Sequence, residues 1–149
     1  MRVIFLEFDG VLHPASAASR FSPCPPLHRA AQRAWLFRWS WILDELLESH
    51  ADVSIIAHSN WRLLVPDDEL QGMLGPLARR FIGSTPRAPR WASISLVVEQ
   101  NHLRDFRILD AFPEAFPPGL AQLIACDPEA GLKDYRVHGQ LEAWLRETH

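Results

Sequence analysis

The chain has 149 residues, of which 48% are hydrophobic and 22% charged, and these values fit one globular domain over residues 1–149. Its net charge of -3 excludes a global electrostatic footprint for nucleic acid or an anionic membrane, although a local pocket can still be basic. No apolar run approaches ~18 residues, and acidic residues interrupt the apolar start, which predicts a cytoplasmic protein with neither a membrane span nor a signal peptide. Cys24 and Cys126 fit no CxxC pattern and are interpreted as free thiols of a reducing compartment.

The first half of the chain alternates between strand-like and helix-like segments. A continuous apolar run predicts a buried strand over residues 2–8, which ends at a turn beginning with Asp9. Four prolines make residues 13–28 a predicted loop or flap. Residues 30–49 have the periodicity of a helix, and residues 53–57 form a second apolar strand. The core face of that helix is predicted to carry Trp35, Trp39, Ile42, Leu43, Leu46 and Leu47, with Trp41 off the stripe.

The second half continues this alternation. The predicted segments, in chain order, are a helix over 66–76, a short strand over 81–82, a helix over 91–103, a strand over 106–109, a proline-rich loop over 111–119, a strand over 120–125 and a helix over 134–147. Alternating strands and helices are typical of a parallel sheet with helices on both faces. We therefore expect a Rossmann-like α/β domain with about five strands, strand 1 in the centre, and no large cap domain.

Polar residues follow several of these strands. In parallel α/β sheets, ligands bind at the carboxyl ends of the strands, so chemistry is expected there. The residues at these strand ends are Glu7, Asp9, Ser59, Asn60, Asp110 and Asp127.

Glu7 and Asp9 lie two positions apart where a buried strand meets a glycine turn. Two carboxylates this close are costly unless a cation or a shared proton relieves them. Mg²⁺ is the simplest relief because it takes oxygen ligands, and Asp110 follows another buried strand and could supply a further oxygen. The sequence thus predicts a magnesium site made by Glu7, Asp9 and Asp110.

Five segments in order carry a family resemblance. Residues 5–14, a hydrophobic strand followed by Glu-Phe-Asp-Gly-Val-Leu-His-Pro, resemble the first motif of haloacid dehalogenase (HAD) superfamily phosphatases, closest to small bacterial domains with a DGVLHP start. The later segments that resemble family motifs or turns are 55–62, 81–86, 108–111 and 123–132. The resemblance implies the HAD-like fold and phosphoryl transfer through a carboxylate.

The resemblance also implies roles for individual residues. Glu7 stands at the position of the nucleophile, and Asp9 at that of the general acid and base, which also gives a backbone carbonyl to Mg²⁺. Ser59 and Asn60 would hold the phosphate, and Asp110 would bind the metal. For the basic residue that neutralises charge, Arg90 is preferred over Arg87, Arg104 and Lys133.

The chain departs from the family pattern in three places. The nucleophile position holds Glu7 in place of aspartate, and Ala111 follows Asp110 where a second acid is usual. The third is the basic residue, whose position the motifs do not fix. Three accounts stay open: a slow phosphatase that uses Glu7, an inactive module that binds a phosphate-bearing ligand or a protein partner, or a deliberate block of turnover. Ala111 favours natural degeneration over a single engineered change. The substrate could be a phosphorylated small molecule, a nucleic-acid end or a protein.

Three residues beside the motifs have two interpretations each. His13 and His58 are preferred as packing or surface residues, with pocket lining as the alternative. Arg62 could reach a phosphate or could only pin the loop that follows the second strand.

Overall fold

Five parallel strands form the centre of the computed structural model, which describes residues 1–21 and 26–147. The strands are β1 (Arg2–Leu6), β2 (Val53–Ala57), β3 (Phe81–Ser84), β4 (Phe106–Asp110) and β5 (Leu123–Ala125). They hydrogen-bond in the order β3-β2-β1-β4-β5, so β1 is central. Residues 3–6 of β1 are fully buried, which explains why its sequence is continuously apolar. The predicted parallel sheet with a central first strand is confirmed.

Short helices cover the sheet. They are α1 (Ala15–Ser19), α2 (Leu27–Arg33), α3 (Ser40–Leu46), α4 (Asp67–Met73), α5 (Arg90–Gln100) and α6 (Tyr135–Leu145). Short 3₁₀ turns lie at Asn60–Leu63, Gly75–Arg80, Pro113–Ala115 and Gly131–Lys133. Because side chains of a strand alternate between faces, Ile4 and Leu6 join a core that includes Leu43 of α3 and Leu141 of α6, whereas Phe5 lies in a second core. That second core includes Ile94 of α5, so helices flank both faces of the sheet. The described residues form no separate cap domain.

The predicted helix over residues 30–49 is wrong as one continuous element. Helix α2 ends at Arg33 and α3 begins at Ser40, and between them Trp35 and Phe37 have left-handed φ angles of 56° and 60°. The amide of Phe37 donates to His13, and the amide of Trp39 donates to the carbonyl of Leu12. These tertiary hydrogen bonds take the place of helical ones. The spacing of apolar residues along the chain contains no signal for them.

The break in the helix also changes the surface. Trp35, predicted in the core, is 67% exposed, whereas Trp39 is buried as predicted. Trp41, predicted off the core stripe, is half exposed. The predicted loop over 13–28 contains α1 and the start of α2, and its residues 22–25, including Cys24, lie outside the described residues. Cys126 is a buried free thiol, and desolvation raises its pKa to about 12.

No helix in the described part of the chain has the length and apolar character needed to cross a membrane.

The turn after β1 requires a glycine at position 10. Its φ is +79°, and a Cβ atom there would lie 2.6 Å from the Cβ of Ala111. We expect Gly10→Ala to lower the free energy of unfolding by about 2 to 3 kcal/mol in denaturant titrations, because left-handed strain and a clash add. The matched control is Gly72→Ala in α4, where nothing lies within 4 Å and alanine should stabilise the helix by about 0.5 to 1 kcal/mol. Equal effects at both positions would contradict this reading of the turn.

Candidate active site

Polar side chains converge at the carboxyl edge of the sheet. Glu7 directly follows β1, His58 and Ser59 follow β2, and Asp110 ends β4. All four are fully buried. Arg90 begins α5 and reaches the same place. The strand order places β1 between β2 and β4, and this adjacency brings together residues that are distant in sequence.

Arg90 bridges two buried carboxylates. Its Nη1 atom lies 2.5 Å from Oε2 of Glu7 and 2.8 Å from Oδ2 of Asp110. The other oxygen of Glu7, Oε1, accepts a 2.8 Å hydrogen bond from the amide of Phe8. The backbone therefore fixes one oxygen of Glu7 and the guanidinium contacts the other.

Asp110 accepts hydrogen bonds on both oxygens. His58 Nε2 lies 2.7 Å from Oδ2, and the amide of Phe112 donates to Oδ1 over 2.8 Å. Nε2 of His58 and Oδ2 of Asp110 share one proton across this short contact. Nδ1 of His58 is buried and has no hydrogen-bond partner among the described residues.

The Glu7 carboxyl prefers its neutral form more than an ordinary glutamate does. Burial raises its pKa, although His58 and Arg90 act in the opposite direction, and the nearby Asp110 adds to the rise. A buried carboxylate beside another carboxylate is disfavoured unless positive charge compensates it. Arg90 supplies part of that compensation.

Asp9 lies beside this cluster and is held by two donors. Nε2 of His13 lies 2.8 Å from Oδ1 of Asp9, and the indole N–H of Trp61 donates to the same oxygen over 2.9 Å. Desolvation acts to raise the pKa of Asp9, but these two hydrogen bonds outweigh it and lower the pKa. Asp9 is partly exposed, with 31% of its side chain accessible, so it can meet a ligand from solvent.

Ser59 and Asn60 differ in placement. Ser59 is buried and caps the 3₁₀ turn that follows β2, where its hydroxyl accepts from the amide of Trp61 over 3.3 Å. A hydrogen bond from Ser59 also helps to hold down the pKa of Glu7. Asn60 is exposed at the first position of that turn.

The four candidate basic residues differ in whether they reach the cluster. Arg87 is exposed and donates to the carbonyl of Leu63. Arg104 lies in a surface depression with Met1, and Lys133 lies 6.0 Å from the centre of the Trp39 ring. Of the four candidate basic residues, Arg90 alone contacts Glu7 and Asp110 in the structure.

Arg62 pins loops. Its guanidinium donates to five backbone carbonyls in the loops after β2 and β3, at distances between 2.7 and 3.3 Å. The accepting residues are His58, Ser59, Thr85, Pro86 and Ala88. The hypothesis that Arg62 only pins the loop is therefore the one that the structure favours.

Asp127 does not join the cluster. It is exposed, and its Oδ1 accepts from the amides of Glu129 and Ala130, so it caps the turn after β5. A polar residue at a strand end is thus a site residue at β1, β2 and β4 but a turn residue at β5.

The donor set fits a divalent cation. Ligand atoms of Glu7, His58 and Asp110 all lie within 4.8 Å of one another. Glu7, Asp110 and the adjacent Asp9 contribute three carboxyl groups, against which the guanidinium of Arg90 is one permanent positive charge. Two buried carboxylates and a surplus of negative charge favour binding of a hard cation with oxygen ligands.

Two histidines pack against the cluster. His58 is fully buried with Nε2 beside Asp110, and His13 is fully buried against Asp9. Burial fits the packing role preferred for both, and each also contacts a predicted site residue. Trp61 also contacts Asp9 and was not among the predicted site residues. The available signal was position: His58 directly precedes Ser59, and His13 lies four residues after Asp9.

Comparison with known proteins agrees with this geometry. The family described as "HAD domain in Swiss Army Knife RNA repair proteins" matches residues 3–137, which include every residue of the cluster. No curated protein and no solved structure is significantly similar to the chain. Because the family match spans most of the 149 residues, the chain belongs to the HAD domain family of Swiss Army Knife RNA repair proteins.

Proposed function

We propose that the chain is a Mg²⁺-dependent phosphohydrolase that acts through the carboxylate of Glu7. The observation that carries this proposal is the buried contact of Glu7, Arg90 and Asp110 at the carboxyl edge of the sheet. Phosphoryl transfer depends mainly on positioning and charge neutralisation, and this arrangement offers a fixed carboxylate beside a fixed guanidinium. Membership of the HAD family supports the same class of reaction.

The residues that would hold Mg²⁺ are Glu7, Asp110 and the backbone carbonyl of Asp9. When bound, the ion supplies charge neutralisation for the phosphate oxygens and for the two buried carboxylates. Asp110 already accepts hydrogen bonds from Arg90 and His58. Ion binding at Asp110 therefore requires that one of these donors give way.

The proposed reaction has two displacements at phosphorus. An oxygen of ionised Glu7 bonds to phosphorus while the bond to the leaving oxygen breaks. The leaving oxygen keeps the electron pair of that bond and takes a proton from protonated Asp9, a form that the lowered pKa of Asp9 disfavours in the free chain. A water molecule then gives a proton to Asp9 and bonds to phosphorus, which breaks the bond to Glu7. The products are the free hydroxyl compound and inorganic phosphate, and both carboxyl groups return to their starting states.

Other residues hold the phosphate in this scheme. Ser59 would donate its hydroxyl to a phosphate oxygen, and Arg90 would balance charge on Glu7 as the bond forms. Asn60 is exposed beside Ser59 and would contribute at the entrance.

We propose a terminal phosphate of RNA as the substrate. The family is described as a HAD domain in RNA repair proteins. Hydrolysis of a phosphate at an RNA end is a reaction that the proposed phosphohydrolase chemistry could perform. In the described part of the chain no separate cap domain covers the carboxyl edge, and Asp9 and Asn60 are open to solvent there. The overall charge of -3 means that recognition would depend on the local site and not on a basic surface.

The test compares the native chain with Glu7→Asp and Asp9→Asn, using an aryl phosphate and Mg²⁺. We expect turnover by the native chain and a loss of about 100-fold or more in Asp9→Asn, because general acid–base catalysis contributes that much. Activity in Glu7→Asp with silence in the native chain would overturn Glu7 as the nucleophile. Silence in both would overturn the enzyme proposal.

Mg²⁺ is expected to stabilise the native chain. At 100 times its dissociation constant, a ligand of the folded state adds about 2.7 kcal/mol, which for a chain of this size raises Tm by several degrees. The measurement is a thermal melt with Mg²⁺ and with chelator. Asp110→Asn should lose the increase, whereas Asp127→Asn, outside the cluster, should keep it. An equal increase in both variants would argue against the proposed ion site.

A second candidate is a binding module without turnover. Ala111 and the hydrogen bonds that already engage both oxygens of Asp110 favour it. This alternative predicts that isothermal titration detects inorganic phosphate, an RNA end or a protein partner while no substrate is hydrolysed. Phosphate release from an end-labelled RNA would exclude it.

A further inference from the structure

His13 is the least accessible group that contacts Asp9, and it has no direct route to substrate. The ring is fully buried, with Asp9 on one side and the backbone of Phe37 on the other. It packs edge-on against Phe37 and Trp61, with ring centres 5.3 and 6.5 Å apart. A histidine in this setting acts on its neighbours and not on a ligand.

The hydrogen bonds define the tautomer of His13. The amide of Phe37 donates to Nδ1 over 3.1 Å, so Nδ1 must offer a lone pair. Nε2 therefore carries the proton and donates it to Oδ1 of Asp9 over 2.8 Å. The backbone amide of Phe37 therefore fixes the direction in which His13 donates.

The residue whose amide donates to His13 has a strained backbone conformation. Phe37 lies at φ 60°, a left-handed conformation that is uncommon for an aromatic residue. Such a conformation persists where surrounding contacts over-determine it. Here the contacts are the hydrogen bond to His13 and aromatic packing of Phe37 on Phe8 and Trp61.

A second donor reaches the same oxygen of Asp9. The indole of Trp61 donates to Oδ1, and Phe21 stacks on this indole with ring centres 5.5 Å apart. Within residues 1–21 and 26–147, both hydrogen bonds to Asp9 end on Oδ1 and none reaches Oδ2. Two fixed donors on one oxygen hold the plane of the carboxyl group and leave Oδ2 for proton transfer.

We propose that His13 is a positioning residue for Asp9, with Trp61 as its partner. This inference rests on the proposed function, since it assigns the proton transfer to Oδ2 of Asp9. In the first displacement the proton passes from Oδ2 to the leaving oxygen, and in the second it returns from water to Oδ2. The hydrogen bonds to Oδ1 stay in place in both steps, so His13 neither gains nor loses a proton.

The test uses His13→Phe, which keeps a ring but removes the donor, and His13→Gln, whose terminal amide can donate to Asp9. The substrates are an aryl phosphate, whose leaving group needs little protonation, and an alkyl phosphate, whose leaving group needs a proton. The value of kcat/KM is compared because it reports steps up to formation of the covalent intermediate. A thermal melt of each variant establishes that it folds.

We expect His13→Phe to lower kcat/KM by about 100-fold for the alkyl phosphate and by only a few fold for the aryl phosphate. His13→Gln should recover most of the loss. Trp61→Phe should show the same selectivity for the alkyl substrate with a smaller loss. Nitrogen-15 NMR of the native protein should show the Nε2–H tautomer at His13, which a purely steric role would not require.

Two outcomes overturn the inference. Equal losses on both substrates in a folded His13→Phe variant would mean that His13 serves only the structure. The Nδ1–H tautomer in the NMR spectrum would contradict the direction of donation. A native chain without turnover on either substrate is a different result, because it refutes the proposed function itself and this role of His13 with it.

Discussion

Replacing Arg90 by leucine is expected to lower the free energy of unfolding by about 3 to 5 kcal/mol, because it leaves two buried carboxylates without their shared cation. Arg90 contacts Glu7 at 2.5 Å and Asp110 at 2.8 Å, and its side chain is only 19% exposed. Leucine keeps part of the apolar volume of the arginine side chain but carries no charge. Denaturant titration at neutral pH without Mg²⁺ measures the loss.

Arg87→Leu is the matched control for this prediction. Arg87 lies three residues earlier, is exposed, and donates to the carbonyl of Leu63. Surface changes of this kind stay within about 0.5 kcal/mol. If Arg90→Leu unfolds at the same denaturant concentration as Arg87→Leu, Glu7 and Asp110 do not depend on the guanidinium. Turnover should also fall in Arg90→Leu and not in Arg87→Leu.

Glu7→Gln is expected to reduce turnover by about 1,000-fold or more, since the amide cannot act as the nucleophile that the proposed reaction requires. The amide oxygen can still accept from the amide of Phe8, so the local backbone arrangement should persist. The measurement is phosphate release in single-turnover conditions. Undiminished release would rule out Glu7 as the group that bonds to phosphorus.

The same substitution should change how stability depends on pH. Burial raises the pKa of Glu7 in the folded chain. A carboxyl with a raised folded-state pKa contributes stability below its unfolded value near 4.3, and this contribution is lost as pH rises through the folded-state pKa. The stability of the native chain relative to Glu7→Gln should therefore fall as the pH rises above about 4. Glu114→Gln, at an exposed position, is the control.

The fold could be predicted because its strongest signals are local. The continuous apolar runs of β1, β2 and β4 are consequences of burial on both faces, and helices alternate with them. The break near Phe37 could not be predicted, since it depends on an amide that donates to His13 at a distant position. The apolar residues of 30–49 keep the spacing of one helix, although the structure divides this segment between α2 and α3.

The candidate site could be predicted in part for a related reason. Motif order pointed to Glu7, Asp9 and Asp110, and the structure brings Glu7 and Asp110 together through Arg90 with Asp9 beside them. The choice among four basic residues needed three-dimensional contacts. His58 and Trp61 escaped because hydrogen bonds of buried histidine and indole groups have no periodic signature.

The order of the strands has a consequence for folding kinetics. The central strand β1 pairs Val3 with Ser54 on one side and with Phe106 on the other, so its partners lie 51 and 103 residues further along the chain. Parallel strands that are distant in sequence pair slowly. The chain loses entropy when the long loop between them closes, before the stabilising contacts form. The carboxyl of Glu7 meets that of Asp110 only when β4 has docked. A chain emerging from a ribosome thus cannot bring Glu7 and Asp110 together until Asp110 is free to fold. Protection of the β1 amides from hydrogen exchange should appear together with that of β4.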